Sequence, residues 1–79
     1  MKFNDGEAIY LQIADQLAAQ AASGALPAES RLPSARDLAA SLQVNPNTAA
    51  RALQELAERG VARVERGTGY FVAADGPAQ

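Results

Sequence analysis

Leu32-Pro33-Ser34-Ala35-Arg36-Asp37-Leu38-Ala39, followed closely by Val44-Asn45-Pro46-Asn47-Thr48, decides how this 79-residue chain is read. Ser34 is a helix-capping residue, and Asp37 stands three positions on, as in a capping box with a shortened acid. Leu38, Ala39 and Leu42 then recur on one face of a helix. Asn45 is a second cap, and Pro46 falls at a first helical position, where a missing N–H costs nothing. Ala49, Ala52, Leu53 and Leu56 continue as a buried stripe. Two short helices joined by a tight turn at Ser41-Leu42-Gln43-Val44 form a helix-turn-helix, whose second helix presents hydrogen-bonding groups to a DNA groove.

Outward from this core the pattern stays consistent. On the N-terminal side, Ile9, Ile13 and Leu17 recur at four-residue spacing, with Tyr10 beside them and Ala14, Ala18, Ala21 and Ala22 filling in. A first helix is therefore expected over about 7–23, stopped by Gly24. Asn4-Asp5-Gly6 reads as a turn, and Lys2-Phe3-Asn4 is left open between a short strand and loose chain. Leu26 to Arg31 reads as a connecting loop, restricted by Pro27 and Pro33. On the C-terminal side, Gly60 ends the third helix. Val61, Val64, Phe71 and Val72 flank the glycine-bounded turn Arg66-Gly67-Thr68-Gly69. The expectation is a mainly α fold with a small β hairpin, a three-helix winged helix-turn-helix. Its helices fall near 7–23, 34–42 and 46–59, its wing near 61–73 and its polar tail at 74–79. The chain is expected to form one domain over 1–79.

Composition narrows the chemistry. Without cysteine or histidine, thiolate metal sites, disulfides and the commonest general base are all excluded. No clustered carboxylates suggest catalysis or metal binding, so neither an enzyme nor a cofactor is expected. No apolar run reaches membrane-spanning length and no signal-peptide pattern opens the chain, which points to the cytoplasm. The net charge of −2 argues at first against a nucleic-acid partner. Distribution outweighs the sum: every arginine lies between Arg31 and Arg66, whereas Lys2 is the sole base before them, against Asp5, Glu7, Asp15 and Glu29.

Asn47, Thr48 and Arg51 project from one side of the third helix, because 51 is four beyond 47 and three beyond 48. Asn suits adenine, and Arg grips guanine through a two-pronged contact. The competing reading has Asn45 and Thr48 only capping and Arg51 paired to Glu55. Arg36 occupies the first turn of the second helix, a poor place for a cation unless a phosphate is expected there. Its competing reading is a bridge to Asp37 or Asp15. At the wing, Gly67 and Gly69 let the turn approach a sugar-phosphate wall while Arg66 brings charge to it. Glu55, Glu58 and Glu65 read as solvated charges paired to Arg59 or Arg63.

At this point the chain resembles the GntR family of bacterial transcriptional regulators. The matching pieces are Tyr10-Leu11-Gln12-Ile13-Ala14, Ser23-Gly24-Ala25-Leu26-Pro27, Arg31-Leu32-Pro33-Ser34 with Arg36, Leu38 and Ala39, and Arg66-Gly67-Thr68-Gly69-Tyr70-Phe71-Val72. Val44-Asn45-Pro46-Asn47-Thr48 is most similar to the YtrA subfamily, with its short helical dimerisation tail. The resemblance implies DNA contacts through Arg36, Asn45, Asn47, Thr48, Arg66 and Gly67, a double-stranded operator with two half-sites, a homodimer and repressor-type regulation. Arg51 is added from helix geometry. The family pattern carries glycine where Glu29 and Gln43 stand, so a different loop backbone is open at 29 and positive φ is expected at 43. Many relatives place arginines where this chain has Pro46 and Ala50, which implies fewer phosphate contacts. The chain ends where a relative would begin its dimerisation or effector segment, as an excised reader or a minimal protein would. The alternative function is a winged-helix protein–protein interaction module, suited to the acidic first helix.

Overall fold

The computed structural model describes residues 8–74. The possible strand at 2–4, the turn at 4–6 and the tail beyond Ala74 lie outside the described residues. Three helices and a two-stranded antiparallel hairpin follow one another: α1 (Ile9–Ser23), α2 (Ala35–Leu42), α3 (Pro46–Glu58), β1 (Ala62–Glu65) and β2 (Gly69–Val72). The expected architecture is present, with helix and strand ends moved by one or two residues. Ser34 caps α2 from outside, its Oγ accepting the Asp37 N–H at 3.1 Å. Arg59 is the C-cap of α3 and not its last helical residue.

α3 is the central helix, packed against both α1 and α2. Its alanines make this possible: Ala49 and Ala52 are fully buried and let the neighbouring helices approach, while Leu53 and Leu56 fill the space with Ile13 of α1. Leu38 and Ala39 close the core from α2, and Leu32, Val61 and Val72 close it below. No polar side chain is buried among the described residues, so packing stabilises the domain without any internal charge. Ile9, expected on the buried face, is 41% exposed at the first residue of α1; Tyr10 beside it packs on the core instead.

The hairpin pairs Ala62 with Val72, Arg63 with Phe71, Val64 with Tyr70 and Glu65 with Gly69. The Thr68 N–H donates to the Glu65 carbonyl at 3.0 Å and closes the turn, with Gly67 at φ 77 as its third residue. That left-handed conformation is one a side chain resists and glycine accepts.

One expectation is corrected. The segment ahead of Leu32 is not only a connecting loop. The Glu29 N–H donates to the Val72 carbonyl, the Leu32 N–H to the Tyr70 carbonyl, and Val72 returns a bond to the Ser30 carbonyl, all at 2.8–2.9 Å. Arg31 stands opposite Phe71 in an antiparallel bridge. β2 is therefore hydrogen-bonded on both edges, and the wing is anchored to the residues leading into α2. Local sequence could not reveal this, because the pairing joins segments some forty residues apart through backbone atoms common to every residue.

Candidate nucleic-acid interface

Capping places the recognition side chains. Asn45 has an extended backbone, and its Oδ1 accepts the Asn47 N–H at 2.8 Å. Pro46 follows at the first helical position. The cap fixes where α3 starts, and therefore which residues fall opposite the Ala49, Ala52, Leu53 and Leu56 stripe. Asn47 and Arg51 are exposed there, Thr48 is half-buried, and Asn45 itself is exposed. The capping role of Asn45 is thus present, and its Nδ2 donors are not needed for it.

The arginines divide into two groups. Arg59 ties α3 to α1, its Nη1 reaching Asp15 at 2.9 Å and its Nε reaching Glu55 at 2.9 Å. Its pKa is raised above the ordinary arginine value, first by the hydrogen bond to Glu55. Arg63 bridges Glu65 at 2.7 Å and Glu29 at 2.8 Å, with Phe71 beneath it, and is likewise raised, first by Glu65. Arg36, Arg51 and Arg66 form no ion pair among the described residues. The competing partners are occupied or apart: Glu55 and Asp15 go to Arg59, and no Arg36–Asp37 bridge forms. Pairing of Glu55 and Glu65 with Arg59 and Arg63 is as expected; Glu58 has no such pair.

Arg51 has a partner that sequence reasoning missed. Its guanidinium lies over the Tyr10 ring, 4.1 Å from the centroid. The sequence places Tyr10 beside the apolar face of α1, and nothing in the spacing of α1 indicates what α3 lays upon it. At the wing, Arg66 and Gly67 are exposed at the turn. The structure thus puts Asn45 at the N-cap of α3, Asn47, Thr48 and Arg51 on α3 itself, Arg36 in the first turn of α2 and Arg66 with Gly67 on the hairpin turn.

Two backbone positions explain how the chain departs from its expected pattern. Gln43, the C-cap of α2, has φ 59 and ψ 47, the left-handed conformation expected there. Glu29 has φ 70, so the loop keeps a glycine-favoured conformation without a glycine.

Residues 9–72 match the family model described as bacterial regulatory proteins, gntR family. The chain belongs to the GntR family. It is 39% identical over 72 residues to the HTH-type transcriptional regulator YhcF of Bacillus subtilis, covering 91% of this chain and 60% of that protein. It is 35% identical to the HTH-type transcriptional repressor YtrA of the same organism, covering 82% of this chain and 50% of that one. A GntR family transcriptional regulator from Listeria monocytogenes superposes with a TM-score of 0.85 at 38% identity, over 92% of this chain and 64% of the other. The chain spans half to three-fifths of the length of these two curated relatives. The matched segment is the family's helix-turn-helix DNA-binding domain, and the relatives YhcF and YtrA are named as transcriptional regulators. Among the described residues no helix is long and apolar enough to cross a membrane, and no acidic cluster could hold a metal ion.

Proposed function

We propose that this GntR domain reads double-stranded operator DNA with α3 in the major groove and the Arg66–Gly69 turn at the minor groove or backbone. Asn47, Thr48 and Arg51 meet base edges. Arg36, Asn45, Arg66 and Gly67 hold the sugar-phosphate walls. The chain 1–79 acts as a single reading unit, binds half-sites as a homodimer in the cytoplasm and represses transcription.

One observation carries this reading. In a domain of net negative composition, Arg59 and Arg63 on the framework are neutralised, and Arg31, Arg36, Arg51 and Arg66 have no carboxylate partner among the described residues. Random surface charge would mix the two groups. An exposed cation without a partner contributes little to folding, and against a polyanion its attraction is released as counterion entropy. The kinship with a protein named as the repressor YtrA supports repression.

The test begins with selection of a preferred site from a random duplex library. Affinity for that site and for unrelated duplex is then titrated at two salt concentrations. The expected result is tighter binding to the selected site, and a steep fall on both duplexes as salt rises. Salt-insensitive binding, or none, would overturn the reading and leave a protein-docking module.

A further inference from the structure

Arg31 has no role in the interface described so far, yet its position is more strongly fixed than that of any other unpaired arginine. Its backbone lies in the antiparallel bridge to Phe71, between the bonded pairs Leu32–Tyr70 and Ser30–Val72. Its side chain runs to the wing turn, where Nη2 donates to the Thr68 carbonyl at 2.6 Å. Nε and Nη2 lie 3.3 and 3.4 Å from the point a Cβ would occupy on Gly69, whose φ is 137. Gly69 is therefore a flat seat for the guanidinium, which a side chain there would crowd.

The guanidinium is exposed and has no carboxylate partner among the described residues. One N–H is committed to the carbonyl, and the fork keeps others. Arg31 also lines an open cleft of about 470 Å³ with Leu32, Pro33, Ser34 and Asp37, at the lead-in to α2. The Asp37 carboxylate repels an anion on its side of that cleft, and the bond to Thr68 ties the cation to the wing. A planar, pre-positioned cation beside a glycine turn suits a phosphodiester oxygen. Arg66, on the turn itself, makes no ion pair among the described residues, whereas Arg31 is already held by the Thr68 carbonyl and loses less freedom on binding.

We propose that Arg31, held by the Thr68 carbonyl over Gly69, is a second phosphate-binding arginine of the wing and takes a DNA phosphodiester oxygen next to the one met by Arg66. The proposal rests on the reading of the wing as a DNA-contacting element.

The test compares salt slopes on the selected duplex for the unaltered chain, Arg31→Gln, Arg31→Lys, Arg66→Ala and the double variant Arg31→Gln/Arg66→Ala. Each neutralised contact is expected to lower the slope by about one unit, the double variant by about two, and Arg31→Lys to keep the original slope. An unchanged slope in Arg31→Gln overturns the proposal, as does a full unit lost in Arg31→Lys. A double variant no different from Arg66→Ala alone also overturns it, since Arg31 then acts only by holding the turn. The parent reading fails separately, when Arg66→Ala leaves the slope unchanged; the slope of Arg31→Gln then decides alone. Should Arg31→Gln not fold, the charge is removed from the DNA instead, with neutral methylphosphonate linkages placed singly along the duplex. Two sensitive linkages at the wing are expected for the unaltered chain, one of them still sensitive in Arg66→Ala. A single linkage that falls silent in Arg66→Ala overturns the proposal.

Discussion

The guanidinium of Arg51 lies 4.1 Å from the centroid of the Tyr10 ring, linking the outer face of α3 to the start of α1. The contact keeps a cation that has no ion pair among the described residues folded against the protein while leaving it exposed. An exposed cation–π pair contributes roughly 0.5–1 kcal/mol. A bidentate contact to a guanine edge is worth about 1–3 kcal/mol. The ring can therefore hold Arg51 in the free protein and release it to a base.

From that comparison, Arg51→Ala should cost folding no more than about 1 kcal/mol. On the selected site it should cost about 1–3 kcal/mol and relax discrimination at one base pair. Thermal melts and a set of single-base-pair variants measure the two effects. Equal loss on selected and unrelated DNA would assign Arg51 to phosphate, and no loss on either would leave it as the partner of Tyr10 alone.

Asn45 separates capping from DNA contact. Asn45→Asp keeps an oxygen for the Asn47 N–H and adds favourable charge at the start of α3, so stability should hold or rise. If Asn45 meets the sugar-phosphate wall as proposed, the same carboxylate faces the phosphates, and DNA affinity should fall by roughly tenfold or more. Asn45→Ala should instead lose about 1 kcal/mol of stability with the cap. If Asn45→Asp bound DNA as well as the original, Asn45 would be a cap and nothing more.

The two left-handed residues predict stabilising substitutions of unequal size. A non-glycine residue in that conformation costs roughly 1–2 kcal/mol, and glycine returns about 0.5–1 kcal/mol of that through its more flexible unfolded state. Gln43→Gly should therefore gain about 0.5–1 kcal/mol, read as a raised Tm. Glu29→Gly relieves the same strain but breaks the exposed bridge to Arg63, so its gain should be smaller. A lower Tm for Gln43→Gly would contradict the assignment of strain there.

Arg66 lies on an exposed turn and has no ion-pair partner among the described residues. Arg66→Ala should leave stability within about 0.5 kcal/mol. It should weaken binding to all DNA sequences alike and lower the salt slope by about one unit. The loss should be larger when two copies are tethered, because dimeric binding then uses two wings. Isotherms for tethered and untethered chains decide it, and an unchanged slope would remove the wing from the DNA.

Sequence alone determined what depends on neighbours along the chain. The order of helices, the caps at Ser34 and Asn45, the turn at Gly67 and the stripe from Ala49 to Leu56 were all legible. A cap needs its acceptor two or three residues away, and a helical face repeats within one turn. The positive φ at Gln43 was also expected, from the place where relatives carry glycine. Tertiary structure decided the rest: that Arg59 also reaches Asp15 and Arg63 also reaches Glu29, that Tyr10 lies beneath Arg51, that residues 29–32 extend the wing sheet, and that Arg31 rests on Gly69. Those relations join residues tens of positions apart. They follow from where the packed helices bring surface side chains and backbone edges together, and helical or strand periodicity carries no record of that.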